Sequence, residues 1–230
     1  MELRLLTTDA ERSAFARNLT ETRACKGAGF AETPRSLVGQ VHLAFGELYA
    51  LYDECASDPD TMLAGFAIHD LATFPQSHPK PDLTHLPPEA VYECGELWAK
   101  AAGGAQLARH AGFILASIRK AEALLVYPLF KPWNLSFVYK GFQRVGEPVQ
   151  WPYIRTLSGE KMFVQPMVLE GEGLRKVAGA ARACGYEMLE GESRIRFNSP
   201  FPMSGKPLAA RRQERRWSEP AATPVLQTAA

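Results

Sequence analysis

A small-residue segment near the middle of the chain has the composition of an anion-binding loop. Residues 98–112, WAKAAGGAQLARHAG, follow an apolar run and lead into a helical pattern. The first amides of a helix have no intrahelical acceptor and carry partial positive charge. Small residues let the backbone approach a phosphate closely. The segment therefore predicts a phosphate site at a helix start, and the alternative is an ordinary small-residue turn.

This loop differs from two common phosphate-binding loops. No Gly-Lys-Ser/Thr triplet follows it, as a Walker loop requires, and the GxGxxG dinucleotide pattern is absent. The candidate phosphate-binding residues are Lys100, Gly103, Gly104, Ala105 and Gln106.

The elements that must position this loop alternate between strands and helices. Hydrophobic periodicity predicts helices at 10–25, 105–121, 134–142 and 173–184. Strands are predicted at 3–8, 38–54, 61–71, 91–99, 123–130, 147–157 and 161–171, the last two as a closing antiparallel pair. Strands 38–54 and 61–71 are expected to form a hairpin across the turn SDPD, and a helix over residues 43–52 is the alternative for the first of them. This order predicts a mixed α/β (α+β) domain with one central sheet.

Length and charge set the domain organisation. The 230 residues are 46% apolar and 22% charged, which suits one domain, predicted at 1–190. The predicted tail, 191–230, is rich in Pro, Ala and Arg and is expected to be extended and disordered. The formal net charge is +1, so no overall field favours nucleic acid or a membrane. Five cations against two anions after Gly205 leave docking to an acidic partner open.

The cysteines and the N-terminus indicate a cytoplasmic setting. Cys25, Cys55, Cys94 and Cys184 form no CxxC pair for zinc or redox chemistry. The N-terminal segment MELRLLTTDAERSAF lacks the apolar core of a signal peptide, and no apolar run is long enough to span a membrane. We therefore expect free thiols in a reducing compartment.

The spacing Lys100-x-x-Gly103-x-Ala105 resembles the Gln/Arg-x-x-Gly-x-Gly/Ala loop of the GNAT acyltransferase superfamily. The downstream Asn134 and Gly141-Phe142 also match that family's pattern, and so does the order of elements over residues 3–171. The resemblance implies a central mixed, mostly antiparallel sheet flanked by helices. It also implies that the loop amides hold the pyrophosphate of coenzyme A, with Asn134 near the donor.

One segment narrows the resemblance. YKGFQRVGEPVQWPYI, residues 139–154, is similar to the region after the Gly-Phe pair in long-chain N-acyltransferases such as N-acyl amino acid synthases. Those enzymes take acyl groups from acyl carrier protein. The resemblance therefore implies acetyl-CoA or a longer acyl thioester as co-substrate, and a small-molecule amine or amino acid as acceptor. Acyl carrier protein is a further possible partner, and no metal is expected.

The same resemblance implies catalytic residues. The family often places a carboxylate on the strand corresponding to 91–99, where Glu93 and Glu96 are the candidates for the base; a regular strand would point them to opposite faces. Gly95 between them permits a bulge. Backbone groups of Leu97 and Trp98 would pair with the pantetheine arm.

The general acid departs from the family pattern. The usual tyrosine position holds Phe137, and Tyr139 lies about 200° away around a helix. Tyr139 is therefore the candidate acid, unless no tyrosine serves. A thiol has a pKa of about 8.5, so a thiolate leaves with little assistance.

The histidines and aromatic residues leave alternatives open. His69 is either a base oriented by Asp70 or a strand-end residue. His78 and His85 flank a proline-rich loop without metal-site spacing, and His110 is either near the phosphate or on the surface. Aromatic residues between 133 and 153 either form a core layer or line an acyl tunnel: Trp133, Phe137, Tyr139, Phe142, Trp151 and Tyr153.

Two functions follow from these observations. The first is an N-acyltransferase in which an amine attacks a thioester directly. The alternative is a non-catalytic GNAT-like binding or regulatory module, which Phe137 and Lys100 favour. Five tail cations without a fold of their own do not predict nucleic-acid binding.

Overall fold

A computed structural model of the protein describes residues 1–25, 30–32, 46–54, 56, 58–73, 81–100, 103–128, 141–156, 161–183 and 185–198. The helices are α1 (Asp9–Cys25), α2 (Gly104–Ile118) and α3 (Gly171–Arg182). The strands are β1 (Glu2–Leu5), β2 (Phe30–Glu32), β3 (Glu47–Tyr52), β4 (Ala64–Asp70), β5 (Val91–Ala99), β6 (Ala123–Val126), β7 (Gln143–Arg144), β8 (Val149–Thr156), β9 (Lys161–Val164), β10 (Met167–Glu170), β11 (Tyr186–Met188) and β12 (Arg194–Phe197).

A capping box starts α1. The amide of Glu11 donates to Thr8 Oγ1, and the amide of Thr8 donates to the Glu11 carboxylate at 2.9 Å. This reciprocal pair satisfies amides that have no acceptor inside the helix. Thr8 is therefore the N-terminal capping residue of α1.

A nine-stranded sheet organises the described part of the chain. Its order is β11-β12-β1-β3-β4-β5-β6-β10-β7. Only β5 and β6 run parallel, and every other neighbouring pair is antiparallel. The predicted hairpin of strands 38–54 and 61–71 is confirmed in β3 and β4. The region 33–45 lies outside the described residues.

Helices cover the two faces of this sheet. On one face, α2 buries Leu107, Ala111 and Ile114 against Phe66 and Ile68 of β4, and α3 packs beside α2. On the other face, α1 buries an apolar stripe against β3 and β5. That second cluster contains Ala14, Phe15, Leu19, Leu48, Ala50 and Trp98. Sheet strands buried on both faces explain the near-continuous apolar runs in the sequence.

A second, three-stranded sheet corrects the expectation of one central sheet. It has the order β2-β8-β9, and β8 pairs antiparallel with β9 as predicted. The predicted strand 161–171, however, is two strands, because β9 ends at Val164 and β10 joins the large sheet. Pro166 stands at the break, where it has no amide to donate to a ladder.

The C-terminal strands extend the sheet beyond the predicted domain boundary at residue 190. β12, at Arg194–Phe197, lies between β11 and β1. The sequence analysis missed β11 and β12 because each strand is short and follows a glycine, Gly185 before β11 and Gly191 before β12. The tail from residue 199 and the predicted helix 134–142, up to residue 140, lie outside the described residues.

Candidate functional site

The two parallel strands separate partway along their length. β5 and β6 share three registered pairs, the last being Glu93 with Leu125. β5 continues to Ala99 paired with β4, whereas β6 ends at Val126. Within the described residues, the β6-facing edge of residues 94–99 has no strand partner. The two strands therefore diverge after Glu93.

A β-bulge lies in this separated part of β5. Gly65 pairs with Trp98 but Ala67 pairs with Gly95, so Phe66 faces two residues, Glu96 and Leu97. The predicted bulge is confirmed. The left-handed residue is Glu96, with φ of 51°, rather than the neighbouring glycine. Since non-glycine residues rarely adopt this conformation, Glu96 stores backbone strain beside the gap.

The predicted phosphate loop does start a helix. Gly103 caps α2 in the left-handed conformation, with φ of 87°, and no side chain caps the helix. The amides of Gln106 and Leu107 donate to the Gly103 carbonyl at 3.0 Å. By helix geometry the amides of Gly104 and Ala105 have no intrahelical acceptor. The start of α2 thus offers backbone donors, as an anion site needs.

A close approach fixes this helix start against the end of β5. A Cβ added to Gly104 would lie 3.2 Å from the Cβ of Ala64 and 3.3 Å from that of Ala99. Nothing lies within 4 Å of a Cβ built on Gly103. Gly104 therefore serves packing, whereas Gly103 serves backbone conformation.

The other predicted donor-binding residues lie around this corner. Trp98 is buried, Leu97 and Ala105 are half-buried, and Gln106 is exposed. Lys100 is exposed, and its ammonium donates to the Asp60 carbonyl at 3.4 Å. Residues 101 and 102 lie outside the described residues.

Glu93 is the most deeply buried carboxylate near the gap. Its residue is 1% exposed, and Oε2 lies 3.6 Å from Nε2 of His69, which β4 brings into register with it. Burial, with a contribution from Glu93, raises the pKa of Cys94 to about 12. Burial and then Glu93 also raise the pKa of Tyr127. Glu93 therefore lies close to Cys94 of β5 and to Tyr127, which follows β6.

The structure changes the expected partner of His69. Asp70, the predicted partner, accepts hydrogen bonds from the amide and hydroxyl of Thr73 at 2.7 and 2.9 Å. Neighbouring residues of a strand point to opposite faces, so the Asp70 carboxylate lies on the face of β4 opposite to the His69 imidazole. The carboxylate facing His69 is that of Glu93.

Glu96 is also buried, at 7% exposure, but at the bulge. Glu93 lies where β5 still pairs with β6, and Glu96 lies where β5 has left it. The bulge begins at Glu96, so the regular alternation of β5 holds from Glu93 through Gly95 and does not fix the direction of the Glu96 side chain.

Tyr127 is a site neighbour that sequence reasoning missed. It directly follows β6 and packs half-buried against the apolar cluster of Val91 and Leu125. Its position at the end of an apolar strand, before Pro128, was the available signal. Tyr139, Asn134, Phe137 and Trp133 lie outside the described residues.

The remaining candidates lie apart from this gap or in the core. His85 is exposed and faces Glu170 at 3.3 Å, His110 packs near Phe113, and His78 lies outside the described residues. Phe142 is buried with its ring 6.1 Å from that of Phe113, which supports the core interpretation for Phe142. Among the described residues, no three His, Cys, Asp or Glu side chains are grouped closely enough to hold a metal ion.

The chain is similar in structure to solved acyltransferases. FeeM, an N-acyl amino acid synthase from uncultured soil microbes, aligns with a TM-score of 0.54 at 12% identity, over 80% of this chain and 97% of FeeM. A GCN5-related N-acetyltransferase from Kribbella flavida aligns at a TM-score of 0.47 and 12% identity, over 74% and 98% of the two chains. A ribosomal-protein-alanine N-acetyltransferase from Brucella melitensis gives 0.45 and 11%, over 74% and 99%.

The likeness to FeeM concerns the fold. It confirms the predicted α/β (α+β) fold of the GNAT type, with a mostly antiparallel sheet flanked by helices. The sequence matches no protein-family model and no curated protein. No helix in the described part of the chain has the length and apolar content to cross a membrane.

Proposed function

We propose that this protein is an N-acyltransferase that moves an acyl group from a thioester donor to an amine. The observation that carries the proposal is the separation of β5 from β6 directly beside the start of α2. A thioester arm can enter between β5 and β6 where the two strands diverge, while its phosphate rests on the first amides of α2. Lys100 and Gln106 are then the nearby donor-binding side chains, and Asn134 remains a donor-binding candidate from the sequence alone.

The chemistry requires a neutral amine. In the proposed reaction, the Glu93 carboxylate takes one proton from the substrate ammonium, and Glu96 is the alternative base. The amine nitrogen attacks the thioester carbon, the C–N bond forms, and the C–S bond breaks. The attacking nitrogen then loses a second proton to solvent. The leaving thiolate takes a proton from Tyr139, which solvent reprotonates, or from solvent directly. Backbone amides of Leu97 and Trp98 polarise the carbonyl.

Donor and acceptor follow from the same proposal. The donor is acetyl-CoA, a longer acyl-CoA or acyl carrier protein. FeeM is an N-acyl amino acid synthase, which makes amino acids the first acceptors to test. The cytoplasm, where thioester donors are made, is the proposed location.

A binding test and a rate test examine this function. Coenzyme A at a hundredfold excess over Kd is expected to raise Tm by about 5–10 °C. Release of free thiol from acetyl-CoA and decanoyl-CoA, with the common amino acids as acceptors, then measures turnover. Absence of both a Tm shift and thiol release contradicts the proposal.

Replacing the proposed base tests its role. Glu93→Gln keeps the size of the side chain and removes its basicity, so we expect kcat to fall about 10²–10⁴-fold with KM nearly unchanged. Glu96→Gln is the matched comparison. If only Glu96→Gln loses activity, the base is Glu96 rather than Glu93.

The second candidate function is a non-catalytic binding module, which Phe137 at the usual tyrosine position favours. It predicts a Tm shift with coenzyme A but no thiol release with any amine. The two measurements above therefore separate the two functions.

A further inference from the structure

The buried pair of Glu93 and His69 is built by two adjacent strands. The two residues are registered partners across β5 and β4, and their side chains are 1% and 3% exposed. Nε2 and Oε2 lie 3.6 Å apart. Moving a carboxylate into such a setting carries a large desolvation penalty, so a neighbour that stabilises its charge matters. The imidazole is in position to be that neighbour.

A second buried carboxylate shows what a different neighbour does. Glu2 faces Arg4, Arg194 and Arg196. Burial alone would raise the pKa of Glu2, but the hydrogen bonds from these three arginines outweigh it and lower the pKa to about 2. A carboxylate held this way does not accept protons near neutral pH. Arginine beside Glu93 would have the same effect, since arginine stays charged.

Histidine suits a base because its own charge changes near neutral pH. A histidine can therefore stabilise a carboxylate without placing a permanent positive charge beside it, as an arginine would. We propose that His69 is the positioning residue of Glu93, holding the carboxylate in the ionised state and orientation in which it accepts the amine proton. The inference rests on the proposed function. After acyl transfer the Glu93 carboxyl returns the proton to solvent, and the pair is restored.

The other groups around the pair do not replace the imidazole. Tyr127 faces Glu93 from the end of β6 and remains a neutral phenol, because burial and Glu93 raise its pKa. Cys94 lies on the α2 face of β5 among apolar side chains. Gly46 directly precedes Glu47 of β3, the partner of Ile68, and its carbonyl accepts a hydrogen bond from the Arg12 guanidinium of α1 at 3.1 Å. Asp70, on the same strand, is turned to Thr73.

Substitutions of His69 test the proposal. His69→Phe fills the space without a donor, and we expect the acid limb of the kcat/KM profile to move upward by about one pH unit. His69→Gln keeps an N–H donor and is expected to restore part of that shift. His85→Gln is the matched control, because His85 also faces a glutamate, Glu170, but at an exposed position. The control should leave the profile unchanged.

A second measurement reads the carboxyl group directly. The infrared band of protonated Glu93, identified as the difference between the wild-type protein and Glu93→Gln, is followed against pH. We expect its midpoint to rise by about one unit in His69→Phe. Circular dichroism and thermal unfolding of each variant show whether it is folded.

Each outcome decides a separate point. An unchanged midpoint and an unchanged acid limb in folded His69→Phe overturn the positioning role. If that variant does not fold, the same result in His69→Gln overturns it. A uniform loss of kcat without a pH shift does the same, because it indicates a structural role only. Absence of acyl transfer by the wild-type protein contradicts the proposed function, and the infrared titration still reports on the pair.

Discussion

Glu96 combines a buried carboxylate with a backbone conformation that favours glycine. It is 7% exposed and has φ of 51°, at the bulge that follows the last β5–β6 pair. Strained residues that persist next to a gap between strands are often part of a site, because packing must hold them in place. The positions of the two β5 glutamates thus have different causes. Strand register places Glu93 opposite His69, and the bulge determines the position of Glu96.

Two substitutions isolate the strain at Glu96. Glu96→Ala and Glu96→Gly both remove the carboxylate, but only glycine relieves the left-handed conformation. We expect Glu96→Gly to be more stable than Glu96→Ala by about 1 kcal/mol in urea unfolding. Lys120, with φ of 56° on the exposed turn after α2, provides the matched pair Lys120→Gly and Lys120→Ala. Equal stability of the two Glu96 variants would show that the bulge is unstrained.

At the scale of elements, the end of β5 and the start of α2 act together. β5 leaves β6 after Glu93, and α2 begins five residues after β5 ends, with Gly104 packed against Ala64 and Ala99. The short connection places the first amides of α2 at the open end of the gap. This placement depends on the left-handed cap at Gly103.

Alanine at Gly103 tests that cap. Gly103 has φ of 87° and Gly146 has φ of 68°, and a Cβ at either position would meet nothing within 4 Å. Gly103→Ala and Gly146→Ala should therefore each lower stability by about 1 kcal/mol. Only Gly103→Ala should also reduce the Tm shift produced by coenzyme A. An equal coenzyme A-induced Tm shift in the two variants would show that the phosphate does not bind at the start of α2.

At the scale of the whole molecule, ion pairs join the two ends of the described chain. Glu2 of β1 is paired with Arg194 and Arg196 of β12, and Arg119 at the end of α2 pairs with Glu47 and Glu192. The C-terminal hairpin is thereby held to the N-terminal strand. This network explains why the sheet continues past residue 190.

The network has a defined pH dependence. The pKa of Glu2 is about 2 in the folded protein, below its ordinary value of 4.5, so its stabilisation is complete above about pH 5 and is lost as the pH falls towards 2. Glu2→Gln should cost about 2–3 kcal/mol at pH 7, and the difference from wild type should shrink below pH 4. Urea unfolding at pH 7, 4 and 3 measures it, with the exposed Glu21→Gln as control. A constant difference across this range would contradict the assignment.

Local patterns in the sequence determined most elements of this protein. β5 has the predicted bounds, Val91–Ala99, and α2 starts within one residue of its predicted start. Apolar periodicity and glycine positions are properties of neighbouring residues, which is why a single sequence reveals them. The helix start behind the phosphate hypothesis was found in the same way.

Only the tertiary structure decided which elements share a sheet and which side chains meet. The division of 161–171 between two sheets, the place of β12 beside β1 and the bulge at Glu96 all depend on strand register. His69 meets Glu93 rather than Asp70 for the same reason: alternation separates neighbours in sequence, and pairing joins residues far apart. Register is set by the packing of the whole domain, so no local pattern contains it.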